Sequence, residues 1–214
     1  MLNLKHLYLS KCTIKGKLPD VFTNFVNLMT LDLSHNAIEH ISDESFEHFP
    51  NLKKLQLSYN RLNSIPRTVN KLVSLEVLVL SNNSLVELAP EIGELQLLKK
   101  LDAEDNLIRE IPCSLFAGDL AKSLEYLNLS GNLLDTLPVQ VGLLVNLEEL
   151  NIGRNQFVRL PASVKALLKL KAFHYGDNDW MVCPPTLRRV PATNQASFGP
   201  LALEKIYSYI YPDV

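Results

Sequence analysis

The sequence has no excess of basic residues, no long apolar run and too few cysteines for a disulfide framework. Its 21 Lys and Arg residues against 23 Asp and Glu give a formal net charge of −2. That balance cannot neutralise a phosphate backbone, so it argues against general nucleic-acid binding. No apolar stretch is long enough to span a membrane, and Lys5, His6 and Lys11 fall where the core of a signal peptide would lie. We therefore expect neither a membrane span nor a signal peptide.

The sequence also lacks the motifs of common catalytic sites. It has no glycine-rich phosphate loop, no nucleophile elbow and no HExxH zinc motif. None of its five histidines recurs at a metal-ligand spacing. These are His6, His35, His40, His48 and His174. We predict that the chain is not an enzyme and holds no metal or cofactor.

Leucine is the residue in excess, with 42 copies at regular intervals. The pattern LxxLxLxxNxL occurs eight times, and its period of 23 to 26 residues is typical of a repeat protein. Repeats one to eight begin at Leu4, Leu28, Leu52, Leu75, Leu98, Leu124, Leu147 and Leu170. Cys12 fills the ninth position in repeat one, and Asn fills it in the others: Asn36, Asn60, Asn83, Asn106, Asn132, Asn155 and Asn178.

The pattern predicts local structure in each repeat. Apolar residues at positions four and six alternate with polar ones, which indicates a strand with one buried face. The Asn at position nine has a donor and an acceptor for the backbone groups exposed where the chain turns, so stacked repeats predict an asparagine ladder. The second halves, many with Pro, predict short helical or 3₁₀ turns on the convex side. Repeat five is longer, and its insertion over 117–122 should bulge there as a loop.

The pattern resembles that of the leucine-rich repeat family over about residues 2–180. The resemblance implies an α/β fold, a right-handed solenoid shaped like a horseshoe, with eight parallel strands on its concave face. Because one repeat cannot bury its own leucines, stability should be a sum over neighbouring repeats.

A different segment follows the repeats. Pro184 and Pro185 end the pattern, and FGPLALEKIYSYI favours a helix that begins near Pro200. We predict two parts, a repeat solenoid over 1–180 and a C-terminal helical cap over 181–214. The cap resembles that of cytosolic leucine-rich repeat proteins of the Ras-binding and Ras-suppressor type.

The N-terminal residues show no matching cap. Leu4 and Leu7 already belong to the first strand, so its edge would face water. We expect that residues 1–14 pair with a partner or that a preceding segment is missing from the chain.

The cysteines favour an intracellular setting. Cys12, Cys113 and Cys183 lie in repeats one, five and eight, too far apart in a stacked solenoid for a disulfide. We expect three free thiols and a cytoplasmic protein. The glycosylation sequons at Asn82 and Asn128 are only weak support for an extracellular setting, because the repeat pattern itself generates them.

Positions three, five and seven should point outward on the concave face, with position eight at its rim. Val77 and Val79 stand out there as two apolar residues on a polar face, and charged residues and tyrosines flank them. Such a surface is typical of a protein-binding hot spot. The candidate binding residues are Lys54, Gln56, Tyr59, Val77, Val79, Lys100, Asp102, Glu104, Asp105, Tyr126 and Asn128.

The carboxylates of repeat five also raise the possibility of metal or acid/base chemistry. Asp102 and Glu104 stand two residues apart on one strand, so both could reach one cation, but their neighbours supply few oxygen ligands. Lys100 is a readier partner for Asp102. We therefore expect a protein-binding module that acts as an adaptor or scaffold. The alternatives are the repeat region of a larger signalling enzyme, such as a kinase, GTPase or ubiquitin ligase, and an extracellular recognition domain.

Overall fold

Residues 3–18 and 25–179, the part that the computed structural model describes, form a repeat solenoid in which each repeat contributes one short strand to the main sheet. The strands of this part are β1 (His6–Tyr8), β2 (Lys15–Lys17), β3 (Thr30–Asp32), β4 (Ala37–His40), β5 (Lys54–Gln56), β6 (Val77–Val79), β7 (Lys100–Asp102), β8 (Tyr126–Asn128), β9 (Glu149–Asn151) and β10 (Ala172–His174). Eight of them make one parallel sheet in the order β1-β3-β5-β6-β7-β8-β9-β10. The predicted horseshoe of eight parallel strands is confirmed. The predicted cap and Cys183 lie outside the described residues, and the boundary at 180 stays a prediction.

The core lies directly beneath the sheet. Leu55 and Leu57, at positions four and six of repeat three, are 1% and 0% exposed. The equivalent leucines pair in register from strand to strand, as Leu55 does with Leu78 in β6. Each repeat thus buries its apolar face only against its neighbours, which is how a solenoid is stabilised.

The asparagine ladder is present. Asn60 Nδ2 donates to the carbonyl oxygens of Leu57 at 3.0 Å and of Leu33, one repeat earlier, at 3.0 Å. Its Oδ1 accepts the backbone N–H of Ile38 at 3.0 Å. The same three contacts recur at Asn36, Asn83, Asn106, Asn132, Asn155 and Asn178. The ladder satisfies backbone groups that the turn would otherwise bury without partners.

The rim residue before each ladder position has a left-handed backbone. Position eight has φ between 51° and 64° in every repeat: Lys11, His35, Tyr59, Asn82, Asp105, Gly131, Arg154 and Asp177. Glycine adopts this conformation without strain, yet it occupies the position only in repeat six. The other repeats therefore keep a side chain on the rim at some backbone cost.

The return segments of repeats two to seven contain short helical turns. The 3₁₀ helices are Asp43–Phe46, Arg67–Lys71, Pro90–Glu94, Asp119–Lys122, Val139–Leu143 and Ala162–Ala166, and α1 is Cys113–Ala117. Pro66, Pro138 and Pro161 precede three of them with φ near −65°, the angle that proline already fixes.

Repeat five differs from the prediction. The longer segment forms α1 and a 3₁₀ helix, and Phe116 and Leu120 are 0% exposed within it. The expected loop is therefore a packed helical segment. Its apolar residues fill space that a polar loop would leave open.

A second small sheet was not predicted. β2 pairs in parallel with β4 outside the main sheet. The expectation of helical turns throughout the second halves is therefore wrong at this point of repeats one and two. The available sequence signal was that Ile14, Gly16 and Leu18 alternate with Lys15 and Lys17.

Candidate functional site

β6 presents Val77 and Val79 near the centre of the concave face, where both are half-buried. Parallel pairing sets their neighbours on β5 and β7. Lys54 and Lys100 lie beside Val77, while Gln56 and Asp102 lie beside Val79. The structure thus brings together the central residues that the sequence singled out.

Position five has a structural role in several repeats. Asp32 Oδ1 accepts the backbone N–H of Ser34 at 2.9 Å, and Asn128 Oδ1 accepts that of Ser130 at 3.1 Å. Asp102 and Asn151 make the equivalent contact. A short Asp or Asn side chain closes such a turn through its own backbone two residues on.

Repeats three and four lack an Asp or Asn at position five, as do the outer repeats one and eight, which have Tyr8 and His174 there. Val79 has no polar group for the turn, and Gln56 has a side chain one carbon longer. Among the described residues, the side chains of Lys54 and Gln56 make no hydrogen bond or ion pair. At these two strand ends, therefore, no position-five side chain closes the turn as those of Asp32 and Asn128 do.

Glu104 and Asp105, the two carboxylates that follow β7, are paired with Arg154, a residue that the sequence analysis did not single out. Arg154 Nη2 lies 2.7 Å from Glu104 Oε1, and Arg154 Nη1 lies 2.9 Å from Asp105 Oδ1. The guanidinium reaches from repeat seven to repeat five over Gly131, where a Cβ would collide with the Asp105 carboxylate. The order Asp, Gly, Arg along position eight was the signal that could have revealed this bridge.

Lys100 lies over an aromatic ring. Its Nζ is 4.2 Å from the centroid of Tyr126, a cation–π contact, instead of in the ion pair with Asp102 that the sequence suggested. Burial, with the carboxylates of Asp102 and Glu149, raises the pKa of Tyr126 to about 12.

Two polar residues lie lower in the face than expected. Asn128 is 3% exposed and donates to Glu104 Oε2 at 3.2 Å, so it supports the surface from beneath. Burial raises the pKa of Asp102, although the N–H of Glu104 and the charge of Lys100 act in the opposite direction. Both side chains serve the strand ends of repeats five and six.

The rim beside the valines carries an aromatic stack. The ring of Tyr59 packs on that of His35, with centroids 4.3 Å apart and planes within 7°. Tyr59 is 50% exposed, which leaves its outer face available to a partner.

These groups form a surface that can contact a ligand. Arg154 already pairs with Glu104 and Asp105, and within residues 3–18 and 25–179 no three His, Cys, Asp or Glu side chains cluster as ligands would. Cys12 and Cys113 are free thiols, as predicted, and are exposed. In the described ranges no helix has the length and apolar character needed to cross a bilayer.

Comparison with known proteins settles the family. A family model described as leucine rich repeat matches residues 2–62, 26–85, 50–108 and 96–157. The chain belongs to the leucine-rich repeat family. Repeats of this family are generally protein-interaction modules, because stacking produces an extended concave surface.

Three proteins with similarity to the chain are longer than it, and the chain spans about a quarter to a third of their length. Leucine-rich repeat-containing protein 58 of Mus musculus is 38% identical over 85 residues, which are 38% of this chain and 23% of that protein. The plant peptide hormone receptor RGFR1, solved in complex with RGF2, has 28% identity and a TM-score of 0.72 over 84% of this chain and 29% of its own. The Arabidopsis receptor kinase HAESA, solved with the peptide hormone IDA and the co-receptor SERK1, has 26% identity and a TM-score of 0.70 over 83% of this chain and 35% of its own.

Proposed function

We propose that the chain is a non-enzymatic adaptor or scaffold module that binds a protein partner on its concave face, centred on Val77 and Val79. The observation that carries the proposal is that repeats three and four lack the Asp or Asn that closes the strand ends of repeats two, five, six and seven. Val79 stands where those repeats have Asp or Asn, and Val77 adds a second half-buried apolar residue to the same strand. Apolar residues inside a polar rim are where binding energy concentrates in protein interfaces.

The surroundings of the valines support this proposal. The side chains of Lys54 and Gln56 make no hydrogen bond or ion pair among the described residues, and the exposed ring of Tyr59 borders them on the rim. Arg154, Glu104 and Asp105 form a bridge at the other side, which fixes the edge of the surface. A rigid edge lowers the entropy lost on binding.

The free thiols of Cys12 and Cys113 support a cytosolic location for the module. The sequon at Asn128 offers no contrary support, since that side chain is buried and hydrogen-bonded. The likeness of the C-terminal segment to that of cytosolic proteins of the Ras-binding type remains a prediction.

The test compares proteins captured from cytosolic extract by the native chain, Val79→Arg and Val139→Arg. Val139 is a matched control, because it is 65% exposed on a 3₁₀ helix of the return segments. We expect Val79→Arg to lose specific partners and Val139→Arg to keep them, with both variants folded by thermal melting. Retention of every partner by a folded Val79→Arg variant would contradict the proposed surface.

A further inference from the structure

The charges on either side of the valine pair are unequal. At positions three, five, seven and eight, repeats one to three hold two lysines, Lys11 and Lys54, and one carboxylate, Asp32, which leaves one net positive charge. Over repeats five to seven, the same positions hold four carboxylates and two cations, which leaves two net negative charges. The carboxylates are Asp102, Glu104, Asp105 and Glu149, and the cations are Lys100 and Arg154. The face therefore changes sign across Val77 and Val79.

From this asymmetry we propose that the partner presents an extended segment in which an aliphatic side chain stands between an acidic and a basic residue. The aliphatic side chain packs on Val77 and Val79, the acidic one meets Lys54, and the basic one lies toward Asp102. The inference rests on the proposed function, since it names the partner of the same surface.

The spacing of the strands fits such a segment. Adjacent strands lie about 4.8 Å apart, so β5 and β7 are separated by roughly 10 Å. In an extended chain the residues on one face recur at every second position, about 6.7 Å apart. A segment laid across β5, β6 and β7 therefore puts its charged residues two positions before and after the anchor. The residue spacing of the segment is larger than the strand spacing, and the flexible side chain of Lys54 can reach across that difference.

The existing contacts favour one charge order. If the acidic residue of the segment lay over β7, the carboxylate of Asp102 would repel it. The ammonium of Lys100 would offset this little, because it already lies on the Tyr126 ring. A segment in the opposite order would face like charges at both ends. Such repulsion selects one orientation more strongly than attraction alone does.

The experiment selects binders from a displayed library of random 12-residue peptides on the full chain. Synthetic copies of the selected peptides are then titrated by fluorescence polarisation. We expect an acidic and a basic residue two positions to either side of an aliphatic one, in one chain direction or the other. Val79→Arg should weaken binding by about tenfold or more.

Lys54→Glu tests the charge order. It should weaken binding about fivefold, and replacing the acidic residue of the peptide by Lys should restore most of the loss. Lys71→Glu is the matched control, because Lys71 is an exposed lysine at the end of a 3₁₀ helix, and it should leave the affinity within about twofold.

The outcomes separate the two proposals. Peptides that depend on Val79 but show no charge order, or that bind Lys54→Glu within twofold of the native chain, overturn this inference and leave the proposed function standing. Failure to select any peptide, or equal binding to the native chain and Val79→Arg, also overturns this inference, while the proposed function stands or falls on the capture experiment with cytosolic extract.

Discussion

Replacing Asn132 with Ala should destabilise the solenoid more than most single substitutions would. Asn132 is 5% exposed and joins repeats five and six. Its Nδ2 donates to the carbonyl oxygens of Ala103 and Leu129, each at 3.0 Å, and its Oδ1 accepts the N–H of Ile108 at 3.1 Å. Alanine removes all these contacts and offers no substitute.

The magnitude follows from the groups left behind. A buried polar group without a partner costs about 1–3 kcal/mol, and this substitution affects one N–H and at least two carbonyls. Partial relaxation and access of water at the turn reduce the sum. We therefore expect a loss of about 3–5 kcal/mol, a size reserved for disrupted buried networks.

Urea denaturation followed by circular dichroism measures the total loss, and hydrogen exchange of the Ile108 amide measures it locally. The matched control is Asn70→Ala, because Asn70 makes one exposed contact with Glu94 and should change stability by less than about 0.5 kcal/mol. A loss below about 1 kcal/mol for Asn132→Ala, or an unchanged exchange rate at Ile108, would refute the reasoning.

Three further substitutions test other contacts by denaturation. Gly131→Ala should cost about 1–2 kcal/mol, because φ is 64° and the added Cβ would displace the Asp105 carboxylate from Arg154; an unchanged stability would contradict this. Asp102→Asn should raise stability at neutral pH but not well below the ordinary pKa of 3.8. Burial raises the pKa of Asp102 in the folded state, so folding of the native chain becomes less favourable as the pH rises and this carboxyl ionises. A loss of stability at neutral pH would contradict this. Gly142→Ala should cost about 2 kcal/mol of stability, because the added Cβ would lie 2.6 Å from the Ser163 carbonyl oxygen. Gly153→Ala should cost less, because its Cβ would lie 3.2 Å from the nearest atom, the Gly176 carbonyl oxygen. Equal losses would show that this close approach does not determine the cost.

The main sheet could be predicted because its determinants are local and repeated. Leu55 and Leu57 alternate with polar residues, and Asn60 follows at a fixed distance, so strand, turn and ladder are each encoded within one repeat. The rim was predicted less completely. A left-handed backbone at Tyr59 or Arg154 is imposed by the coil and contradicts the usual preference of those residues.

The candidate site was predictable only in part, because its contacts join different repeats. Parallel register placed Val77 beside Lys54 as expected, since pairing follows from the period alone. The bridge from Arg154 to Glu104 skips a whole repeat and depends on the missing side chain of Gly131. A prediction that considers only adjacent strands cannot find it.

The three acids of repeat five illustrate how the structure narrows the search for a partner. Asp102 closes its own strand end, and Glu104 and Asp105 share Arg154, so each carboxylate already has a role within the fold. A partner that took Glu104 or Asp105 would first have to break a bridge to Arg154, whereas one that meets Val79 displaces only water. Binding energy should therefore concentrate on repeats three and four, and the acids should govern orientation more than affinity.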